Sequence, residues 1–219
     1  MVCAVLLGGC GSSSAQTRSA GSAATGSTPT ASSGGGSPAG GTICGPSGAR
    51  TLAADARARV YVAGGRVLGC ARGGAARYVL GRSTSCLGGA LAGPVAVAGT
   101  RVAVAVKRCG VDTGRSEVLV RRLDNGQVLG TQPATSSALG AESYVTVSAI
   151  VLARNGAVAW ITEAASIVSR RRAIQVHAWA AAGTRILDSG AAIGARSLRL
   201  TGALVRWRDG GRLRSARLG

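Results

Sequence analysis

The sequence predicts an all-β domain of short antiparallel strands, and three observations carry that expectation. Apolar residues recur with period two in short runs, with no sustained 3.6-residue periodicity to compete. The runs are punctuated by turn signals such as Gly64-Gly65, Asn125-Gly126, Asn155-Gly156 and Gly210-Gly211. Glycine is abundant, at 35 of 219 residues, and phenylalanine is absent, so the core must be built from Val, Leu, Ile and Ala.

In chain order, residues 59–63 and 66–70 flank Gly64-Gly65 and read as a hairpin. Residues 95–98 lead through Gly99-Thr100 into 101–106. Residues 117–123 run into Asp124-Asn125-Gly126 and return as 127–129. Residues 144–153 meet Asn155-Gly156 and return as 157–162. A further pair, 174–180 and 184–187, is separated by Gly183. The last hairpin pairs 204–207 with 212–214 across Gly210-Gly211.

These strands group into loosely similar units that begin near Thr51, Val95, Val145 and Leu198, at spacings of 44, 50 and 53 residues. Each reads as strand, turn, strand, longer loop, strand, turn, strand. Propeller blades repeat at roughly 40–50 residues, and the order resembles the blades of bacterial β-propeller proteins over residues 50–219. The fold expected is therefore all-β in propeller-like repeated units, with a β-sandwich or partly open barrel as the alternative. Leu187-Asp188-Ser189-Gly190 and Ser197-Leu198-Arg199-Leu200 are similar to segments of secreted proteins of high-GC bacteria. That likeness implies no particular activity.

Ahead of the β-domain the chain changes character. Residues 2–7 are a short apolar run, and Leu7-Gly8-Gly9-Cys10 resembles the lipobox of bacterial lipoproteins. The resemblance implies cleavage before Cys10 and attachment of acyl chains to its thiol, with residues 1–9 as the remnant of a signal peptide. The run is shorter than a full leader and lacks a basic flank, as expected if the start codon is set too far downstream or the leader is trimmed. Two or three acyl chains hold a protein on a membrane, at about 0.8 kcal/mol per buried CH₂. Residues 10–43 then comprise the lipidated cysteine and a tether of Gly, Ser, Ala and Thr whose only charge is Arg18. Such a composition cannot bury enough apolar surface to order itself, and its coil reach is about 30 Å. The all-β domain is expected over residues 44–219.

Of six cysteines, Cys3 falls in the leader and Cys10 is the acylation site. Cys44, Cys70, Cys86 and Cys109 remain, and an even remainder in an exported chain suggests two disulfides. Three connectivities are open. Local pairs, Cys44–Cys70 with Cys86–Cys109, would tie neighbouring strands. No C-x-x-C spacing points to zinc, and no metal or other cofactor is expected.

Basic residues outnumber acidic ones 26 to 8, for a net charge of +18, and Lys107 is the single lysine. A GC-rich genome inflates Arg, Ala and Gly and depletes Lys and Phe, so composition alone accounts for much of this excess. The resulting field still favours anionic surfaces. Arg199, Arg206, Arg208, Arg212 and Arg214 alternate with Leu198, Leu200, Val205, Trp207 and Leu213. Strand parity then predicts an apolar face inward and an arginine face outward, with Arg170, Arg171 and Arg172 as a further basic loop. A planar guanidinium suits phosphate and carboxylate recognition, so an anionic envelope polymer or protein is the expected partner. A plain solvated sheet face is the alternative. Nucleic acid is disfavoured because no exposed aromatics interleave with the arginines. No oligomeric state is indicated.

Catalytic signals are sparse. His177, the single histidine, sits in a strand on the face of Gln175 and Trp179, away from Val176. A nucleophile elbow is missing, as are Walker and dinucleotide fingerprints. Asp124 and Asp209 precede turns, and other acids are expected to pair with surplus arginine. Glu163 and Asp188 follow core strands, where they could line a central mouth. Trp160, Trp179 and Trp207 read as core-filling residues. The expectation is a non-enzymatic binding or scaffolding lipoprotein, extracytoplasmic and anchored to the outer face of the cell membrane. The alternatives are a hydrolase using Glu163, Asp188 and His177 at strand ends, or a degenerate propeller fragment without a ligand.

Overall fold

The period-two pattern becomes strand throughout. The computed structural model describes residues 44–83, 89–109, 114–135, 143–166 and 172–219, and in them lie fifteen strands and no helix. The lipidation and tether residues 10–43 lie outside the described residues, as do Cys86, Asp112, Glu142, Arg170 and Arg171.

The strands form antiparallel meanders in repeated units. The first unit is β1 (Arg50–Ala54), β2 (Ala58–Ala63), β3 (Arg66–Ala71) and β4 (Tyr78–Arg82). The second is β5 (Ala90–Ala98), β6 (Arg101–Cys109), β7 (Gly114–Arg122) and β8 (Val128–Pro133). The third is β9 (Ser143–Leu152), β10 (Val158–Ser166), β11 (Arg172–Ala180) and β12 (Gly183–Ser189). The fourth has three strands, β13 (Arg199–Thr201), β14 (Leu204–Asp209) and β15 (Arg212–Arg217). Neighbours in sequence are neighbours in each sheet, and a single parallel bridge, Arg82 to Ala90, joins the first two units into one eight-stranded sheet. None of the sheets closes into a barrel. Thr51, Val95 and Val145 fall in the first strands of their units, and Leu198 immediately precedes β13.

Turn chemistry places the hairpins. Gly64 and Gly65 have φ of 56° and 69°, the doubly left-handed backbone that a two-residue loop requires to match the twist of its strands. At Asn125-Gly126 and Asn155-Gly156 each asparagine Oδ1 accepts the backbone N–H two residues on, at 3.0 Å, which is the local bond that favours Asn in turns.

Three apolar layers hold the units face to face. Val60, Val67 and Leu80 of the first unit meet Val102, Val104 and Leu123 of the second. Ala103, Ala105, Val118 and Val120 meet Val147, Ile150 and Trp160 of the third. Ile161, Val176 and Ala178 meet Ile193, Leu198, Val205 and Trp207 of the fourth. The first strands of successive units lie beside one another, β1 by β5, β5 by β9 and β9 by β13. Gly93 permits the tightest of these approaches. A Cβ there would stand 2.7 Å from the carbonyl oxygen of Val147 and 3.1 Å from Cβ of Ala105.

The outer face of the first unit is closed by the segment that precedes β1. Cys44 is disulfide-bonded to Cys70 with a Cα separation of 5.7 Å, the local pairing expected. Cys109 is also disulfide-bonded. Tyr61 lies under this cap with Gly45 against its ring, where a Cβ would come within 2.6 Å. The Arg59 guanidinium donates to the carbonyls of Cys44, Pro46 and Ala49 at 3.2, 3.3 and 2.6 Å, and to Thr51 Oγ1 at 2.9 Å. One side chain thereby holds three points of the capping segment and the start of β1.

Because the atom facing Gly93 is backbone and cannot swing aside, Gly93→Ala forces β5 away from β9. Overpacking of this kind costs about 1–3 kcal/mol. Urea unfolding of the variant should show a lower midpoint, with an unchanged slope whose product with the shift equals that cost.

Candidate functional site

The fourth unit packs on the third by one face, and its register decides which side chains lie on the other. Across the Gly210-Gly211 hairpin Asp209 pairs with Arg212, Arg208 with Leu213, Trp207 with Arg214, Arg206 with Ser215 and Leu204 with Arg217. On the other side Arg199 pairs with Arg206 and Leu200 with Val205. Directly paired residues share a face. Val205 and Trp207 point into the apolar layer, so Arg199, Arg206, Arg208 and Arg217 lie together on the opposite face, all exposed.

That grouping corrects the sequence expectation in one respect. Arg212 and Arg214 do not join the outer arginines; they lie on the side of Asp209 and Trp207, where Arg214 Nη2 approaches Asp209 Oδ2 at 3.6 Å. Leu213 takes the outer position instead and is 63% exposed. The physical reason is the two-residue turn. It places Asp209 opposite Arg212, so the alternation in β15 starts on the Trp207 side. Counting outward from Gly210-Gly211 gives this parity, whereas matching arginine with arginine does not. Arg172 opens β11 in the third unit, apart from this face.

The outer face carries four guanidinium groups and no carboxylate. Like charges directly opposite in a sheet destabilise one another, and Arg199 and Arg206 are such a pair. Backbone carbonyls anchor two of the four without neutralising them. Arg199 Nη1 donates to the carbonyl of Leu198 at 2.7 Å, and Arg208 Nη1 to that of Gly211 at 3.3 Å. The positive potential is therefore uncompensated on that face.

His177 and the two acids of the hydrolase alternative are not brought together. His177 is opposite Trp160 and faces the second unit, 2% exposed. Its ring stacks on the indole with centroids 5.2 Å apart and planes within 7°. Its Nε2 is buried without a hydrogen-bond partner among the described residues. Burial lowers its pKa to about 4, so the imidazole is neutral at pH 7. Glu163 pairs with Ile174 and Asp188 with Val176, on the other face of the same sheet. Asp188 is occupied there: its Oδ2 accepts the Trp207 indole N–H at 2.7 Å.

Among the described residues the remaining acids serve the framework. Glu117 pairs with Arg108 at 2.7 Å and Asp124 with Arg122 at 2.6 Å. The hydrogen bond from Arg122 is the main cause that lowers the Asp124 pKa. Asp55, one of the acids expected to pair with arginine, instead accepts three backbone N–H groups, from Arg57 at 2.7 Å, Ala58 at 2.9 Å and Gly99 at 2.6 Å. The last of these ties the first unit to the β5–β6 turn. Trp160 and Trp207 are buried and Trp179 partly so, with its ring against Gly130. Among the described residues no group of three or more His, Cys, Asp or Glu could hold a metal ion, and no helix is long and apolar enough to cross a membrane.

Comparison with family models, curated proteins and solved structures gives no match.

The burial of His177 sets a pH dependence. Its folded pKa lies below the ordinary 6.5, so between about pH 6.5 and 4 the unfolded chain binds the additional proton. Stability from this site is complete above that window and falls as pH drops through it, by on the order of 3 kcal/mol. Urea midpoints measured at pH 7, 5 and 4 should decline, and His177→Gln should flatten the His177 part of that decline.

Proposed function

We propose that this chain is an extracytoplasmic lipoprotein whose β-domain binds an anionic polymer of the cell envelope through the outer face of its last unit. The observation that carries the reading is the acid-free group of Arg199, Arg206, Arg208 and Arg217 on one flat, exposed sheet face. A surface of four cations without an internal counterion gains most when an extended polyanion supplies several charges at once. Guanidinium groups add bidentate geometry toward phosphate and carboxylate. The net charge of +18 steers such a partner from a distance.

Location rests on independent features. Disulfides persist in oxidising compartments, and the Cys44–Cys70 bond closes the first unit. The lipobox-like Leu7-Gly8-Gly9-Cys10 and the Gly/Ser-rich residues behind it fit a domain held off a membrane by a lipid-anchored spacer. In this reading catalysis is not part of the role, since His177 and the acids Glu163 and Asp188 occupy opposite faces of one sheet.

Two measurements test the proposal. Retention of the purified domain on immobilised polyanion should be strong at low salt and vanish toward ~1 M, where the screening length is about 3 Å. Replacing Arg199, Arg206, Arg208 and Arg217 by Gln should abolish it. The same replacement at Arg66, Arg82, Arg115 and Arg154, exposed elsewhere, should leave most of it. Equal losses in the two variants would reduce the effect to net charge and reject the face. For the anchor, cells fed a clickable fatty acid should label the full-length protein and not Cys10→Ala; an unlabelled wild type rejects lipidation.

A further inference from the structure

The third and fourth units differ in height. Strands β9, β10 and β11 have ten, nine and nine residues, whereas β13, β14 and β15 have three, six and six. Among the described residues the short unit covers Ile161, Val176 and Ala178 and leaves the far end of the same face uncovered. The step is a hollow of about 410 Å³, floored by the ends of β9–β11 and walled on one side by Ala191. That volume is within the range of small-molecule sites, roughly 300–1,000 Å³.

Its lining has a particular chemistry. Glu163 is directly opposite Thr146 on β9 and Ile174 on β11, and Ala165 is opposite Tyr144 and Arg172. One face therefore presents a carboxylate, a guanidinium, a hydroxyl, an aromatic ring and an aliphatic floor. Glu163 and Arg172 are diagonal neighbours, with backbones roughly 7–8 Å apart. Close enough to pair, they make no ion pair, and neither side chain has a hydrogen-bond partner among the described residues. Elsewhere Glu117, Asp124 and Asp209 each engage an arginine. An acid left open in a chain with 26 basic residues, beside an open arginine and inside a hollow, is set to receive a ligand's own cation and anion.

We propose that this hollow binds a small zwitterion of dipeptide size, its ammonium on Glu163, its carboxylate on Arg172, and a short aliphatic side chain over Ile174 and the alanines. Tyr144, 64% exposed, adds an aromatic side chain to the lining, with the Lys107 ammonium 5.9 Å from its ring centroid. This site stands apart from the arginine face of the fourth unit and does not depend on it. The two recognise different things: the flat face takes repeated negative charge, while the hollow takes one charge of each sign at a fixed spacing.

Isothermal titration of the purified protein with alanyl-alanine, its N-acetyl form and its C-terminal amide decides the matter. The free dipeptide should bind with a dissociation constant below about 10 mM, and each blocked form should bind at least tenfold more weakly. Glu163→Gln should lose affinity for the free dipeptide and cease to distinguish the N-acetyl form. Arg172→Gln should likewise cease to distinguish the amide. Both residues are exposed, and circular dichroism checks that the variants retain the fold. No heat from alanyl-alanine in the wild type overturns the proposal, because Glu163 and Arg172 then satisfy one another in solution. Binding of the N-acetyl form as strong as that of the free dipeptide also overturns it, by assigning the affinity to the basic surface in general.

Discussion

A small antiparallel meander has two faces, and the fold depends on how each is covered. In a chain without phenylalanine no single sheet can build a deep core of its own. The solution is to lay units face to face, so that each apolar layer is shared by two sheets. Alanine and valine dominate these layers, and small side chains let the sheets approach closely. Dispersion and burial both improve as that gap narrows. The larger residues act locally: Trp160 fills the second layer and Trp207 the third. What remains is a pair of ends, and the two ends differ. One is sealed by Cys44, Gly45 and the Arg59 clamp over Tyr61, while the other presents arginines to solvent.

Apolar contact between flat sheets is non-directional and would allow one unit to slide over the next. Polar bonds across the seams set the register. Asp55 reaches the Gly99 amide, and Ser116 Oγ donates to the Val145 carbonyl at 2.9 Å. Thr184 Oγ1 donates to Gln132 Oε1 at 2.8 Å, and the Trp160 indole to the Ala134 carbonyl at the same distance. Ser148 Oγ and the Trp207 indole do this between the third unit and the fourth. Each bond is worth about 1 kcal/mol net, yet leaving such a buried group unmet costs more. Misregister is penalised through these atoms rather than through the apolar layer.

Much of the architecture is legible in the sequence because hairpin turns are local. Gly64-Gly65, Asn125-Gly126, Asn155-Gly156 and Gly210-Gly211 announce their own geometry, and the alternation on either side supplies the strands. The short β4 and the three-residue β13 offer too few residues to show a period. Asp55 and Arg59 are silent for another reason. Apart from Thr51 Oγ1, their hydrogen-bond partners are backbone groups up to 44 residues away, and no side-chain pattern encodes those. The arginine face is half legible. Its β14 members follow from alternation, but the assignment of Arg212 and Arg214 needs the pairing across the turn. The hollow at Glu163 is not legible at all, since it arises from a difference in strand length between two units that only their packing brings into contact.

That difference in length has a wider consequence. In a stack of equal sheets every layer would be sealed from end to end, and functional groups could sit only at rims and terminal faces. A short last unit changes this by exposing part of a face that belongs to a well-packed sheet. Side chains there inherit rigidity from the nine- and ten-residue strands beneath them while remaining open to solvent. A site of this kind needs no mobile loop to position its groups, since the register of β9, β10 and β11 already fixes their spacing. The arginine face has a separate origin: the register of β13, β14 and β15 places Arg199, Arg206, Arg208 and Arg217 opposite the face that Val205 and Trp207 bury. The reduced size of the fourth unit thus accounts for the hollow, and strand parity accounts for the arginine face.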